Sequence, residues 1–288
     1  MARKQKITVC ALNVIIHDEG KRDYKKLFQF CAELHLVAQF NRTHAASLVS
    51  TSSVVTPMGE YLFGLIYKFV NVEPPYFDSH SHKIVYDAEG KPKNLLSPQI
   101  KANTKDVEFC LFDEIHRVFV NTKNITPKTA KSFFEKIFSD IRVVQEFGQV
   151  DVALHTSSES VDSILNIYSL KCIEVTVHRP NPISLSRYDG IVEESMRQQN
   201  AETLQFKLST KKGDITPDET THSFMQGACN NGRIRAIGRD QDGKKIEYDT
   251  DDVALTASTL LQKGESFVTG VIRAASNAWN KISSQGES

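Results

Sequence analysis

Alternating and continuous apolar stretches divide the first seventy residues into strands and one helix. The run ITVCALNVII at 7–16 is nearly all apolar, which is typical of a strand covered on both faces. The next apolar residues recur every three or four positions and predict a helix over about 22–38. Segments 45–55 and 60–71 flank the turn sequence TPMGE and together predict a β-hairpin.

The segment 107–178 repeats this mixture of strands and helices. VEFCLF and HRVFVNT predict a second hairpin. Thr126 followed by Pro127 predicts a helix N-terminus, because threonine caps the free N–H groups and proline fits the first turn. An alternating strand at 150–156, a short helix around SESVDSILNI and the strand IEVTVH complete a β-β-α-β-α-β order.

Beyond residue 183 the pattern predicts a helix, the strand TLQFKLST, a short helix, the strands GRIRAIGRD and KKIEYDT, and a last helix over about 265–282. We therefore predict an α+β fold of mostly antiparallel sheets with helices packed on one face, a C-terminal β-hairpin and a long terminal helix. We expect two domains. Residues 1–182 would form an α+β sandwich of two related β-α-β units with a long loop at 72–105, and 183–288 a region of helix, β-ribbon and terminal helix.

Composition narrows the class of protein. The chain of 288 residues is 40% hydrophobic, and its 35 basic and 35 acidic residues cancel, so any polyanion site must come from local clustering. The five cysteines form no C-x-x-C pair, and three lie in apolar strand patterns, which favours a reducing compartment. Neither a signal peptide nor a stretch of ~20 apolar residues is evident, so we expect a cytoplasmic protein without a membrane span.

Candidate catalytic chemistry is sparse. The sequence contains no phosphate loop, dinucleotide fingerprint, H-E-x-x-H or G-x-S-x-G motif, so we expect no cofactor and no catalytic residue. Asp78, His80 and His82 in DSHSH could bind zinc if their side chains converged with a further ligand, or could simply form a solvated loop. The aspartates within 249–252 allow the same two interpretations.

Basic residues after residue 178 are the one electrostatic clue. Arg233 and Arg235 lie two positions apart in a predicted strand and therefore share a face. A β-ribbon with such residues can lie against a phosphate backbone, and a sheet face balanced by acidic neighbours is the competing interpretation. The candidate contact residues are Arg179, Arg187, Lys207, Lys211, Lys212, Arg233, Arg235, Arg239, Lys244 and Lys245.

Arg179 stands between His178 and the prolines at 180 and 182. Neither proline can donate to a sheet ladder, so both should end the strand and hold Arg179 on a rigid rim. There it could contact a phosphate, or it could tie two parts of the fold together through carbonyls or a carboxylate.

The segments MARKQKITVCALNV, FGQVDVAL and IEVTVHRPNP resemble a bacterial family that is associated with phages and defence and whose domain has no assigned function. More loosely, the order of elements is similar to that of the phage lambda exclusion protein RexA and of the DNA-binding subunit of Kiwa-type defence. That resemblance implies double-stranded DNA binding as a homodimer without enzymatic chemistry. This chain departs from the pattern because it lacks a basic surplus.

These observations lead to one functional prediction and two alternatives. We predict a sequence-nonspecific double-stranded DNA-binding component of an anti-phage defence or phage exclusion system, a homodimer that could act with a second defence-system protein. The first alternative is a sensor or adaptor that binds a protein through the 72–105 loop and the last helix. The second is a metal-dependent hydrolase that uses Asp78, His80 and His82.

Overall fold

The computed structural model describes residues 5–56, 59–71, 77–78, 80–86, 88–89, 100–180 and 187–286. The strands are β1 Lys6–Ile16, β2 Val37–Gln39, β3 His44–Thr56, β4 Gly59–Val70, β5 Phe77–Asp78, β6 Lys83–Ile84, β7 Ala102–Phe112, β8 Arg117–Asn121, β9 Val150–Leu154, β10 Ser169–His178, β11 Thr203–Ser209, β12 Gly232–Arg239, β13 Lys245–Asp249 and β14 Thr256–Leu260. The helices are α1 Tyr24–Glu33, α2 Pro127–Phe138, α3 Ile141–Phe147, α4 Glu159–Leu165, α5 Arg187–Gln198, α6 Glu219–Asn231 and α7 Phe267–Gly286.

The larger sheet has eight strands. Seven follow the order β14-β1-β8-β7-β4-β3-β2, and the eighth, β9, lies outside this order and pairs with β1. All its pairs are antiparallel. One edge of β1 pairs with β8, and the other is shared, since β14 pairs with its first half and β9 with its second. This central place explains why the first apolar run is nearly continuous.

Helices cover both faces of the larger sheet. On one face, β1 directs Leu12 and Val14 toward a core that also contains aromatic side chains of α1 and α2, such as Phe28 and Phe134. On the other face, Ile7, Val9 and Ala11 pack against α7. Small residues of α7, among them Ala274, Ala275 and Ala278, are fully buried and let the helix lie close to the strands.

The smaller sheet has four antiparallel strands in the order β11-β10-β12-β13. Its inner face carries Ile173, Val175 and Ile234, which form a separate core with apolar residues of α4, α5 and α6. Its outer face carries the alternate, polar positions, in the pattern expected of an antiparallel sheet with one solvated side.

The division into two sheets does not follow the order of the chain. Strand β10 lies before residue 182 but belongs to the smaller sheet, and β14 and α7 lie after it but complete the larger one. The α+β class, the C-terminal hairpin and the long last helix are confirmed. The proposed domain boundary at residue 182 lies outside the described residues and stays a prediction.

Local chemistry explains where the elements begin and end. Thr126 caps α2 as predicted, since its side chain accepts a hydrogen bond from the N–H of Thr129. The helix predicted over 22–38 instead ends at Glu33, because His35 takes a positive φ of 49° and leads the chain into β2. Strand β14 was not predicted. Much of the 72–105 loop lies outside the described residues, but its last residues already belong to β7.

No helix in the described part of the chain combines the length and apolar character needed to cross a bilayer. All five cysteines are buried and unpaired, which the apolar surroundings predicted for Cys10, Cys110 and Cys172. Burial raises the pKa of the Cys10 thiol to about 12 and that of Cys31 to about 12, so both remain protonated at neutral pH.

Candidate functional site

The outer face of the smaller sheet carries five of the ten predicted contact residues. These are Lys207 on β11, Arg233, Arg235 and Arg239 on β12, and Lys245 on β13. The register sets them in rows, with Arg235 opposite Asp249 and Arg239 opposite Lys245. We call this surface the basic face. Strand alternation brings these side chains to one side, as the sequence predicted for Arg233 and Arg235.

Acidic residues on the same face pair with most of these cations. Glu174 of β10 lies between two of them, with Oε1 2.6 Å from Lys207 Nζ and Oε2 3.8 Å from Arg235 Nη1. Asp249 accepts a hydrogen bond of 2.9 Å from Arg233 Nε and lies 3.8 Å from Arg235 Nε. The Lys207 hydrogen bond holds the pKa of Glu174 below its usual range, so this carboxylate is ionised at neutral pH.

Three further predicted lysines lie in turns at one end of this sheet. Lys211 and Lys212 follow β11, and Lys244 lies in the β12–β13 turn. All three are exposed, and among the described residues no carboxylate lies within ion-pair distance of them. We include these three lysines in the basic face, because they extend it beyond Lys207 and Arg235, which Glu174 neutralises.

Arg179 does not join the basic face. It follows the opposite end of β10, where its Nη2 lies 3.7 Å from Glu19 and 3.5 Å from Glu193. Its backbone N–H donates to the carbonyl of Glu202. This geometry corresponds to the second of the two roles considered for Arg179, an arginine that ties parts of the fold together. Arg187 is the first residue of α5, and its side chain lies outside the described part of the chain.

Asp78, His80 and His82 show no convergence on a metal position among the described atoms. The Asp78 carboxylate closes its own turn, since it accepts hydrogen bonds from the His80 N–H at 2.9 Å and the Ser81 hydroxyl at 2.6 Å. The aspartates near residue 250 form ion pairs instead. Asp251 is buried and accepts two hydrogen bonds from Lys131, at 3.0 and 2.9 Å.

A buried polar network, which sequence reasoning missed, lies where the two sheets meet. Arg117 of β8 donates to the side-chain carbonyl of Asn13 on β1, and Asn13 donates in turn to Asn231 Oδ1 at 2.7 Å. Asn231 then donates to Asp189 Oδ1 at 2.7 Å. Burial lowers the pKa of Arg117 to about 10, so the guanidinium is still charged at neutral pH. A polar Asn13 within an apolar strand was the available signal for this network.

Two histidines beside this guanidinium are held neutral. Burial, reinforced by the charge of Arg117, lowers the pKa of His155 to about 3 and that of His116 to about 4. In the described part of the chain, Nδ1 of each ring and Nε of Arg117 have no hydrogen-bond partner. The network therefore joins the two sheets through the buried guanidinium of Arg117. Burial and this charge together disfavour protonation of the neighbouring imidazoles of His155 and His116.

A second group of residues missed by sequence reasoning lies at the junction of β1, β9 and β10. His17 follows β1, Asp151 lies on β9, and His178 ends β10. Asp151 Oδ2 lies 2.7 Å from His17 Nε2 and 2.9 Å from His178 Nδ1. Burial by itself would raise the pKa of Asp151, but the hydrogen bonds and positive charge of the two imidazoles hold it well below its usual range.

Comparison with known proteins gives one result for nearly the whole chain. The model of a family described as "Domain of unknown function (DUF4747)" matches residues 5–276. No curated protein matches the sequence. The expectation of a family whose domain has no assigned function is therefore confirmed.

Proposed function

The chain belongs to the DUF4747 family, and we propose that it binds double-stranded DNA without sequence preference through the basic face. The observation that supports this proposal is the collection of five predicted cations on one exposed sheet face. Across these four strands, which are all described, the five face three acidic residues, Glu174, Glu247 and Asp249, which leaves two net positive charges.

The character of the outer face favours the phosphate backbone over the bases. Proteins that bind single strands stack bases on aromatic rings. No aromatic side chain alternates onto this outer face among the described strand residues, since Phe206 and Tyr248 point toward the inner core. Lysine and arginine instead make contacts that position a protein on duplex DNA without reading its sequence.

The acidic residues should make this binding weak and strongly dependent on salt. If about four cations contact phosphates, raising monovalent salt from 50 to 200 mM should reduce affinity by about two orders of magnitude. Glu174 competes directly with phosphate for Lys207 and Arg235, since it contacts both. Removal of its charge should therefore strengthen binding.

Fluorescence anisotropy with a labelled DNA duplex, repeated across a salt series, tests the proposal. We expect Lys207→Gln and Arg235→Gln each to weaken binding and to flatten the salt dependence, and Glu174→Gln to strengthen binding several-fold. Lys26→Gln is the matched control, because Lys26 is an exposed lysine in a similar ion pair, 2.5 Å from Glu146, on a different part of the molecule. Equal losses in Lys207→Gln and Lys26→Gln, or binding that salt does not change, would contradict the proposal.

We also propose that this activity serves anti-phage defence or phage exclusion, in the cytoplasm and as a homodimer, alone or with a second defence-system protein. The defence role and the homodimer depend on the resemblance to the RexA and Kiwa-type proteins, and the cytoplasmic location depends on the five cysteines without a C-x-x-C pair. Equilibrium sedimentation tests the dimer, and infection of cells that carry wild type or the Lys207→Gln variant tests the defence role. A monomer at micromolar concentration would refute the homodimer. Equal protection by wild type and Lys207→Gln would show that defence does not depend on DNA binding by the basic face.

The protein-interaction alternative finds less support in the described structure. It requires the last helix as a docking surface, but the apolar stripe of α7 is already buried against β1, with Val271, Ile272 and Ile282 almost inaccessible to solvent. Half of the 72–105 loop, its other proposed surface, lies outside the described residues.

A further inference from the structure

The two histidines and the aspartate at the junction of β1, β9 and β10 have the composition of a transition-metal site. Two imidazole nitrogens and one carboxylate oxygen are ligands that zinc uses in sites with three protein ligands. Among the described residues, His17, Asp151 and His178 are the one group of three or more such side chains whose donor atoms lie within 4.8 Å of one another.

The distances fit a metal with little rearrangement. In a tetrahedral site with bonds of about 2.0–2.1 Å, ligand atoms lie about 3.3 Å apart. The two nitrogens are already 2.7 and 2.9 Å from the same oxygen of Asp151. An ion could therefore replace the two hydrogen bonds after the donor atoms separate by less than ~1 Å from that oxygen.

The backbone fixes all three ligands. Asp151 lies opposite Ile15 in the β1–β9 ladder, and the N–H of His17 donates to the carbonyl of Gln149. His178 lies opposite Thr203 at the end of the β10–β11 ladder. Ligands on strands hold their geometry better than ligands on loops. Asp151 and His178 lie on strands and the backbone of His17 is hydrogen-bonded directly after one, so this site is preorganised across both sheets.

Neighbouring polar groups orient the ligands. Gln149 Nε2 lies 3.2 Å from Asp151 Oδ2 and orients this carboxylate, as partners of metal ligands commonly do. The Thr203 hydroxyl lies 3.1 Å from His178 Nδ1, the same nitrogen that faces Asp151, so a bound ion would replace this contact as well.

The site is partly open to solvent. The side chain of His17 is 4% exposed, but those of Asp151 and His178 are 20% and 18% exposed. Three protein ligands with solvent access leave a coordination position for water or for an oxygen of a bound molecule. His178 alternates with Thr176 and Glu174 onto the outer side of β10, which places the site about 13 Å along the strand from Glu174.

We propose that His17, Asp151 and His178 bind one divalent first-row transition-metal ion, with Zn²⁺ bound tightly and Mn²⁺ weakly. The order follows the general preference of nitrogen-containing sites. A metal-free clamp, in which both imidazoles donate to Asp151, is the competing use of the same geometry, and the two differ in whether the protein takes up an ion.

Isothermal titration calorimetry of full-length protein, stripped with chelator and dialysed, tests the site with ZnCl₂ and MnCl₂. We expect one Zn²⁺ per chain and at least ten-fold weaker binding by each of three variants, His17→Gln, Asp151→Asn and His178→Gln. The matched control replaces His80 and His82 by glutamine, because these form the other histidine pair considered from the sequence. It should bind Zn²⁺ as wild type does.

Three results would overturn the proposal: no stoichiometric uptake by wild type, unchanged affinity in any of the three ligand variants, or loss of binding in the control. Circular dichroism establishes that each variant is folded. A second measurement needs no variant, since Co²⁺ bound by four ligands that include nitrogen gives intense visible absorption. A spectrum of wild type with one equivalent of Co²⁺ that matches hydrated Co²⁺ would also overturn the proposal.

Discussion

Replacing His155 with glutamine should make the protein less sensitive to acid. His155 is 2% exposed, and burial together with the charge of Arg117 lowers its pKa to about 3. In the unfolded chain a histidine has a pKa near 6.5. Between these values the unfolded state binds a proton that the folded state does not, so stability falls as the pH drops below about 6.5.

The size of the effect at pH 5 follows from the pKa of the unfolded chain. At pH 5 an unfolded histidine lies about 1.5 pH units below its pKa, and each unit corresponds to about 1.36 kcal/mol, so His155 should remove about 2 kcal/mol of stability. This figure holds as long as the folded pKa stays well below 5. His116, whose pKa is lowered to about 4, adds a similar loss that wild type and variant share.

Urea denaturation at pH 7.5 and at pH 5 measures this difference. The drop in free energy of unfolding between the two conditions should be about 2 kcal/mol smaller for His155→Gln than for wild type. Because each protein is compared with itself, any packing loss common to both pH values cancels. His80→Gln, which replaces an exposed histidine, should behave as wild type. An equal acid-induced drop in His155→Gln and wild type would refute the idea that burial keeps His155 neutral.

Two further predictions concern packing and buried charge, both measured by urea denaturation. Gly232→Ala should lower the free energy of unfolding by about 1–3 kcal/mol, because the added Cβ would lie 1.9 Å from the carbonyl oxygen of Thr176. Gly190→Ala, whose Cβ would have nothing within 4 Å, should raise it by about 0.5–1 kcal/mol. Equal effects of the two substitutions would contradict this reasoning. Asp251→Asn should lower the free energy of unfolding by up to roughly 3–5 kcal/mol, because it removes the closer counter-charge of the buried Lys131 and leaves only Glu135, whose Oε1 lies 3.9 Å away. Adding Lys131→Met should recover much of that loss, and failure to do so would argue against the ion pair.

Strand alternation was enough to predict that Arg233 and Arg235 lie on the same side of the sheet. Side chains two positions apart share a face wherever the strand pairs, so this result needed no knowledge of the partner strands. Their neutralisation by Glu174 and Asp249 could not be predicted in the same way. It depends on β10 lying between β11 and β12, and non-local strand order is not contained in a local pattern.

The same reason explains the two groups that sequence reasoning missed. His17 directly follows β1, whereas Asp151 and His178 lie on two strands that are distant from it in sequence, so no spacing motif joins the three. The abrupt end of the strand marks His178 and its neighbour Arg179 in the sequence, but no local pattern there indicates the partners of His178. Strand β14, with the short and mostly polar sequence TASTL, lacked a pattern strong enough to predict.

The shared edge of β1 has a consequence for biosynthesis. Residues 6–10 pair with 256–260, and the Thr8 hydroxyl lies 2.8 Å from that of Ser258 across 250 positions of sequence. Contacts between such distant segments form slowly, and they cannot form until the ribosome has released the later one. During translation, the apolar side chains of β1 that α7 will cover remain exposed, so a chaperone that holds nascent chains should crosslink to Ile7 and Val9 until synthesis has passed α7.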